Sequence, residues 1–455
     1  MSTRRGPNVP LPLRGVIEGF YGEPWSHAER LRLLAELGAL GMNRYVYAPK
    51  DDPFHRARWR EPYPPRECAA LAELAAAGHE AGVEVVYALH PALDMVYSHE
   101  ADHLALAAKV RQLNALGIRR FALLFDDVPE GLADPCDAEL WGTGAEGAGR
   151  AHGATCARFE AAVLAPLGLG GSLLMVPTDY AGSGPSDYRG GLSQTLGAQT
   201  GVFWTGDDIV VGAVTAEQAA RASTAFGGRP LVLWDNFPVN DFDRSRAFLG
   251  PLLGRDPALA ESGLVGIVAN PMVEYEPSRF AIHSVAAWAA DPRAYNPMQA
   301  AEAALTAVAG PDAEALRPLV AAASSWPPSA PQYPELAAAV DASFANGGHE
   351  TSELVGLLAR LDGLDVLQPS TALRTALLPW AQAAPLTAAV IRAALAHVRG
   401  EAGTDPAAVW ELARTAGHGL ARDVARAAAE RALGRELPDR VRPEGDPAAQ
   451  AATGD

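Results

Sequence analysis

A chain of 455 residues exceeds one ordinary domain, which predicts a barrel-sized unit joined to a second domain with length enough to bury a large core. Its 49% hydrophobic and 20% charged side chains are a globular composition, and no run reaches the ~18 uninterrupted apolar residues of a membrane span. With 37 basic against 54 acidic side chains, the net charge of −17 repels polyphosphate and speaks against a nucleic-acid partner.

Over the first 290 or so residues, short apolar runs ending in polar or small residues alternate with longer amphipathic stretches, the pattern of repeated βα units. The strand-like runs are "GVIEGFYG" from Gly15, "NRYVYAPK" from Asn43, "VEVVYALHP" from Val83, "RFALLFDD" from Arg120, "GSLLMVPTDY" from Gly171, "GVFWTGDD" from Gly201, "PLVLWDN" from Pro230 and "GLVGIVANP" from Gly263. Helical patterns fill the gaps, as in "SHAERLRLLAELGALG", where Ser26 is a candidate N-cap. Eight strand–helix pairs predict a (β/α)₈ barrel over residues 1–292. A doubly wound sheet competes, but no GxGxxG follows the first strand. The glycine-rich "WGTGAEGAGRAHGA" from Trp141 reads as a loop without an assignable role.

From 293 to 437 the chain turns Ala-, Leu-, Glu- and Arg-rich with a 3.6-residue period, which predicts an α-helical bundle domain broken by a turn at "SSWPPSAPQYP". The helices are expected to line or extend the cleft, with a homodimer interface as a further possibility. The polar, Pro-rich residues 438–455 are expected to be a disordered tail.

Three cysteines, Cys68, Cys136 and Cys156, form neither a CxxC pair nor an even framework, and the first residues hold no apolar signal core. The expectation is a cytoplasmic protein in a reducing compartment.

In a barrel the strand C-termini converge on one mouth, so polar groups there are the ones able to meet a substrate. In order these are Glu18, Gly19 and Tyr21; Tyr47 and Lys50; His90; Asp126 and Asp127; Asp179 and Tyr180; Trp204 and Asp207; Trp234, Asp235 and Asn236; and Asn270. Paired carboxylates suit glycoside chemistry, in which a leaving oxygen takes a proton while positive charge develops at the anomeric carbon. Adjacent strand residues point to opposite faces, so Asp126 and Asp127 both reach the mouth only if the chain bends there. Neighbouring carboxylates fit neither the wide gap of inverting enzymes nor the opposed pair of retaining ones. They fit better a route in which a 2-acetamido group of the substrate supplies the nucleophile.

Blander readings stand beside this one. An Asp-Asp pair after a strand is commonly a helix cap or solvated loop, Lys50 alone a surface lysine, and Trp204 and Trp234 core packing. His99 and His103, spaced i, i+4, are read as exposed helix-face residues, since no third metal ligand lies nearby.

Beyond these local signals, "RGVIEGFYGEPW", "YVYAPKDDPFHRARWREPY", "FALLFDDV", "VPTDY", "FWTGDD", "LVLWDNFPVNDFD", "FLGPLLGR" and "VANPMVEYEPSRFAIHS" together resemble glycoside hydrolase family 84. These are the β-N-acetylglucosaminidases that include protein O-GlcNAcase, and the resemblance runs from about Arg14 to Trp288. It implies retention through an oxazoline intermediate, without metal or other cofactor, on GlcNAc-containing glycans, glycoconjugates or glycoproteins. By resemblance, Asp126 orients and stabilises the acetamido nitrogen, and Asp127 is the general acid and base. Tyr180 holds the acetamido group, Trp234 walls the pocket for its methyl, and Asn236 lies beside it. Gly19, Lys50, Asp241 and Asn270 resemble contacts to sugar hydroxyls. The alternatives are a non-catalytic carbohydrate-binding or regulatory barrel and, more weakly, a metal-dependent hydrolase.

Overall fold

A computed structural model describes residues 10–323, 325–330, 332–364, 367–402, 404–415 and 422–437. The predicted tail, and residues 416–421 of the last periodic stretch, lie outside the described residues. Two compact units are present. One holds the described residues up to Phe237 with Leu252–Pro271 and Val285–Asn296; the other holds Pro238–Pro251, Met272–Ser284 and the described residues from Pro297 on.

All eight expected strands form in the first unit: β1 (Leu13–Glu18), β2 (Arg44–Tyr47), β3 (Glu84–Leu89), β4 (Arg120–Leu124), β5 (Leu174–Val176), β6 (Gly201–Trp204), β7 (Leu231–Asp235) and β8 (Leu264–Ala269). They pair in sequence order, parallel throughout, and β8 closes on β1, giving a (β/α)₈ barrel. The interior is filled by alternate residues: Ile17; Val46 and Ala48; Val86 and Ala88; Ala122 and Leu124; Leu174 and Val176; Phe203; Val232 and Trp234; Val268. Two-residue alternation is what a pleated strand imposes, and it fixes which residue beyond each strand end continues to face inward.

Helices α1 (His27–Ala39), α2 (Pro65–Ala81) and α3 (Glu100–Ala115) follow β1, β2 and β3. The predicted cap at Ser26 is present as a full capping box: its side chain accepts from Glu29 N, while Glu29 accepts from Ser26 N. His103, expected on an exposed face, is instead buried and its Nε2 lies 2.8 Å from the Tyr97 carbonyl; only His99 is exposed. His103 lies on the buried face of the helix with Leu106, Ala107 and Val110, three, four and seven residues on.

The glycine-rich stretch is not a loop. After α4 (Pro135–Trp141) it forms α5 (Gly144–Phe159), which crosses α6 (Asp187–Thr195) with backbones almost touching. A Cβ at Gly149 would collide with the Tyr188 carbonyl, one at Gly191 with the Glu146 carbonyl, and one at Gly153 would lie 2.8 Å from Leu196 N. Glycine's low helix propensity is overridden here by a contact that only glycine allows. Gly149→Ala is therefore expected to lower stability in urea unfolding by about 1–3 kcal/mol. Gly190→Ala, which meets nothing within 4 Å, should instead stabilise by up to about 1 kcal/mol through helix propensity.

The division into units departs from the single cut expected at residue 292. The segment 238–251 after β7 groups with the helices because its polar groups are satisfied there. Trp380 Nε1 donates to Ser245 O at 2.8 Å, Arg422 pairs with Asp243 at 3.1 Å, and Leu249 N donates to Ala323 O at 2.7 Å. The rings of Trp326 and Phe248 also meet at right angles, 4.9 Å between centroids. The helices of this unit present apolar stripes at helical spacing, as in the 27-residue Ala372–Val398, where Leu377, Ala381, Ala384, Ala388, Ile391 and Leu395 are buried.

Candidate active site

Continuing the interior alternation past each strand end gives residues 19 and 21 after β1, 50 after β2, 90 after β3, 126 after β4, 178 and 180 after β5, 236 after β7 and 270 after β8. The structure joins most of these by hydrogen bonds. Lys50 is 7% exposed, and its Nζ donates to Asp126 Oδ2 at 2.6 Å and to Asp127 Oδ2 at 3.4 Å. One ammonium therefore bridges the two carboxylates.

Asp127 breaks the alternation, and its backbone shows how. Its φ is 54°, in the left-handed region, at a cost of about 1–2 kcal/mol for a residue with a Cβ. That turn is the bend the two adjacent carboxylates require. It lets Asp127 accept from Tyr21 Oη at 2.6 Å and from Tyr180 Oη at 3.2 Å while Asp126 continues inward.

The two carboxylates occupy different environments. The Asp126 side chain is 6% exposed and that of Asp127 20%. Burial, the largest influence, disfavours charge on Asp126, but Lys50, His90 and a main-chain hydrogen bond together outweigh it and hold the carboxyl well below the usual range. Burial likewise opposes charge on Lys50, and Asp126 and Asp127 outweigh it, so Lys50 stays protonated. Burial, reinforced by Asp127 and Asp126, keeps the Tyr180 phenol far above its usual value; burial also pushes Tyr21 up to about 12. Both tyrosines are therefore hydrogen-bond donors at neutral pH. The second oxygen of Asp126, Oδ1, is buried without a hydrogen-bond partner among the described residues.

A second chain of contacts links the ends of β1, β7 and β8. Gly19 N donates to Asn270 Oδ1 at 3.2 Å, Asn270 Nδ2 to Asn236 Oδ1 at 2.9 Å, and Trp234 Nε1 to the same oxygen at 2.9 Å. Trp234 also lies edge-on to Phe203 and 6.0 Å from Lys50 Nζ. Gly19 is required by space: a Cβ there would be 2.5 Å from Trp234 Cζ2. Gly19→Ala should displace the indole and lower stability by about 1–3 kcal/mol, read by denaturant unfolding.

Of the expected residues, Asp126, Asp127, Lys50, Tyr180, Gly19, Trp234, Asn236 and Asn270 are thus linked in the barrel unit. Asp241 belongs to the other unit, where it is partly buried. Tyr47, whose Oη donates to Asp52 at 2.8 Å, and four other polar or aromatic strand-end residues do not face the site. Glu18 accepts from Arg30 at 2.7 Å and from Tyr45, and Asp235 is gripped by Arg255 at 2.6 and 2.7 Å. Trp204 Nε1 donates to Gly182 O at 2.7 Å, and Asp179 pairs with Arg189 at 2.9 Å. All five have the outward parity of their strand or of its continuation.

Two contributors carried no role in the sequence reading. Tyr21 is the donor to Asp127 described above. His152, from the glycine-rich helix, stacks on Phe125 at 4.3 Å between centroids and is held by Tyr188 at 2.8 Å and Tyr97 at 2.9 Å. Burial lowers its pKa to about 3, so it is neutral. Thr178 Oγ1 donates to the Phe125 carbonyl at 2.7 Å, so the residue before the aspartates is fixed at both side chain and main chain. Among the described residues no three His, Cys, Asp or Glu side chains gather as a metal-ligand group. No described helix is long and apolar enough to cross a membrane.

A family model described as beta-N-acetylglucosaminidase matches residues 14–321. Protein O-GlcNAcase of Rattus norvegicus is 36% identical over 282 residues, which cover 61% of this chain and 30% of that protein. The chain thus spans about a third of the length of the curated relatives it matches. Among solved structures, a mutant of the O-GlcNAc hydrolase of Thermobaculum terrenum superposes with a TM-score of 0.81 at 27% identity, covering 92% of this chain and 94% of that one. The structure of CpGH84B gives 0.79 at 26% identity, covering 93% and 77%. A parallel barrel with adjacent aspartates at one strand end, and a family model spanning well over half of the residues, place the chain in glycoside hydrolase family 84, the β-N-acetylglucosaminidase family.

Proposed function

We propose that the chain is a retaining β-N-acetylglucosaminidase that removes terminal β-linked GlcNAc from a glycan, glycoconjugate or glycoprotein, with the substrate's own acetamido group as nucleophile. The observation that carries this reading is the unequal pair on one lysine: a buried, charge-stabilised Asp126 beside a more open Asp127.

The roles follow from those environments. The acetamido oxygen attacks C1 while the bond from C1 to the aglycone oxygen breaks, and Asp127 passes its proton to that leaving oxygen. Asp126 accepts the acetamido N–H and stabilises the positive charge that develops as the oxazoline closes. Its partnerless Oδ1 is an acceptor suited to this. In the second step water attacks C1, Asp127 takes its proton, and the acetamide re-forms. Two inversions give net retention. Asp127 must meet both leaving group and water, which agrees with its greater exposure; Asp126 works better dry, where its charge is less screened. Tyr180 and Trp234 hold the acetamido group, and Asn236, Asn270, Gly19 and Lys50 hold the sugar. Holding an internal nucleophile in place supplies a large entropic share of the barrier.

Turnover of 4-nitrophenyl β-N-acetylglucosaminide, unchanged by a chelator, is the expected result; absence of turnover overturns the reading. A glycopeptide assayed beside a disaccharide then identifies the aglycone.

The lysine has a pH signature. Because Lys50 is foremost among the groups that hold the Asp126 carboxyl down, Lys50→Met leaves burial, which raises it, opposed only by His90 and a main-chain hydrogen bond. The acid limb of kcat/KM is therefore expected to move to higher pH, with activity lost sooner on acidification. Removing one partner of this buried pair should also cost about 3–5 kcal/mol of stability in urea unfolding.

A further inference from the structure

The positive φ at Asp127 needs something to hold it, and the peptide plane is the place to look. The carbonyl of Asp126 belongs to the peptide joining the two aspartates, so fixing that oxygen sets ψ of Asp126 and φ of Asp127 together. His90, fully buried at the end of β3, has its Nε2 2.8 Å from this oxygen, while its Nε2 is 3.6 Å from Asp126 Oδ1. A carbonyl only accepts, so Nε2 is the protonated nitrogen and Nδ1, buried without a partner among the described residues, is bare.

The histidine is itself laced in place. Its main-chain N–H donates to the His55 carbonyl at 3.0 Å, and His55 Nδ1 returns a bond to the Ala88 carbonyl at 2.6 Å. Burial brings His90 down to about 4, so it stays neutral and adds no second cation beside Lys50. Behind the aspartates Phe125 is held separately, by Thr178 and His152. Among the described residues it is the His90 side chain that meets the Asp126 carbonyl.

We infer that His90 is a positioning residue: by donating to the main-chain oxygen of Asp126 it holds the peptide at the turn that aims both carboxylates into the site. The inference rests on the proposed hydrolase reading for its catalytic consequence, though not for its structural one. Gln reaches about as far from Cβ with its amide nitrogen as His does with Nε2, so it preserves the donor; Leu removes it.

The test compares crystal structures and kinetics of wild type, His90→Leu and His90→Gln. In His90→Leu the 126–127 peptide is expected to rotate and Asp127 to leave φ near 54°, with kcat on 4-nitrophenyl β-N-acetylglucosaminide falling about 10²-fold and KM nearly unchanged. His90→Gln should restore both the turn and most of kcat. An unrotated peptide, an unchanged kcat, or a Gln variant as slow as the Leu one overturns the inference. Should His90→Leu fail to fold, His90→Ala removes the donor without adding bulk. If the wild-type chain shows no turnover, the hydrolase reading fails, and the crystallographic comparison alone decides the role of His90.

Discussion

Asp127→Ala is expected to lose about 10²–10⁴-fold in kcat/KM on a GlcNAc glycoside with an alkyl leaving group, yet far less on a 2,4-dinitrophenyl glycoside. The reason lies in where the proton is needed. An alkoxide is too basic to depart unprotonated, whereas dinitrophenolate departs without help, so only the first substrate registers the loss of a proton donor. The second step still slows in both, because the same residue takes the proton of the attacking water. Steady-state rates across a series of leaving groups make the check: the slope of rate against leaving-group pKa should steepen in the variant. The substitution removes only one of the carboxylates on Lys50, and Asp126 at 2.6 Å remains to hold the lysine charged.

Asp126→Asn should behave differently. The shape is conserved and the charge removed, so the developing oxazoline loses its compensating anion whatever the leaving group. A fall of about 10²–10³-fold is expected on every substrate, the size seen when a preorganised electrostatic contact is removed. The leaving-group slope should stay near that of wild type. If Asp126→Asn shows the steepened slope and Asp127→Ala the uniform loss, the two roles are reversed.

Much of this was legible before any coordinates. The eight strands could be found because parallel barrel strands are short apolar runs separated by amphipathic helices, and Ser26 announced its helix as an N-cap residue. The site was legible to the extent that strand ends converge on one mouth. What the sequence list lacked was parity. Glu18, Trp204 and Asp235 are one residue away from the inward-facing Ile17, Phe203 and Trp234, and counting by twos would have sent them outward to Arg30, Gly182 and Arg255. The same count points Lys50, His90, Asp126, Asn236 and Asn270 inward.

Other features depend on partners distant in sequence. Gly149, Gly153 and Gly191 look like loop composition until α5 and α6 are brought against each other, at which point each glycine answers a specific backbone atom. The grouping of 238–251 with the helices rests on Trp380, Arg422 and Ala323, more than 70 residues on. The turn at Asp127 was inferable as a need, since adjacent carboxylates diverge on a straight strand, but the histidine on its peptide was not.

The most direct measurement varies the nucleophile itself. In a series of aryl β-glucosaminides carrying N-acetyl, N-fluoroacetyl, N-difluoroacetyl and N-trifluoroacetyl groups, each fluorine draws electrons from the carbonyl oxygen that is proposed to attack C1. The wild-type chain should show kcat/KM falling steeply and in order with fluorine count. A flat series would mean that an enzyme carboxylate or water attacks instead, and that Asp126 and Asp127 do not share the work proposed for them.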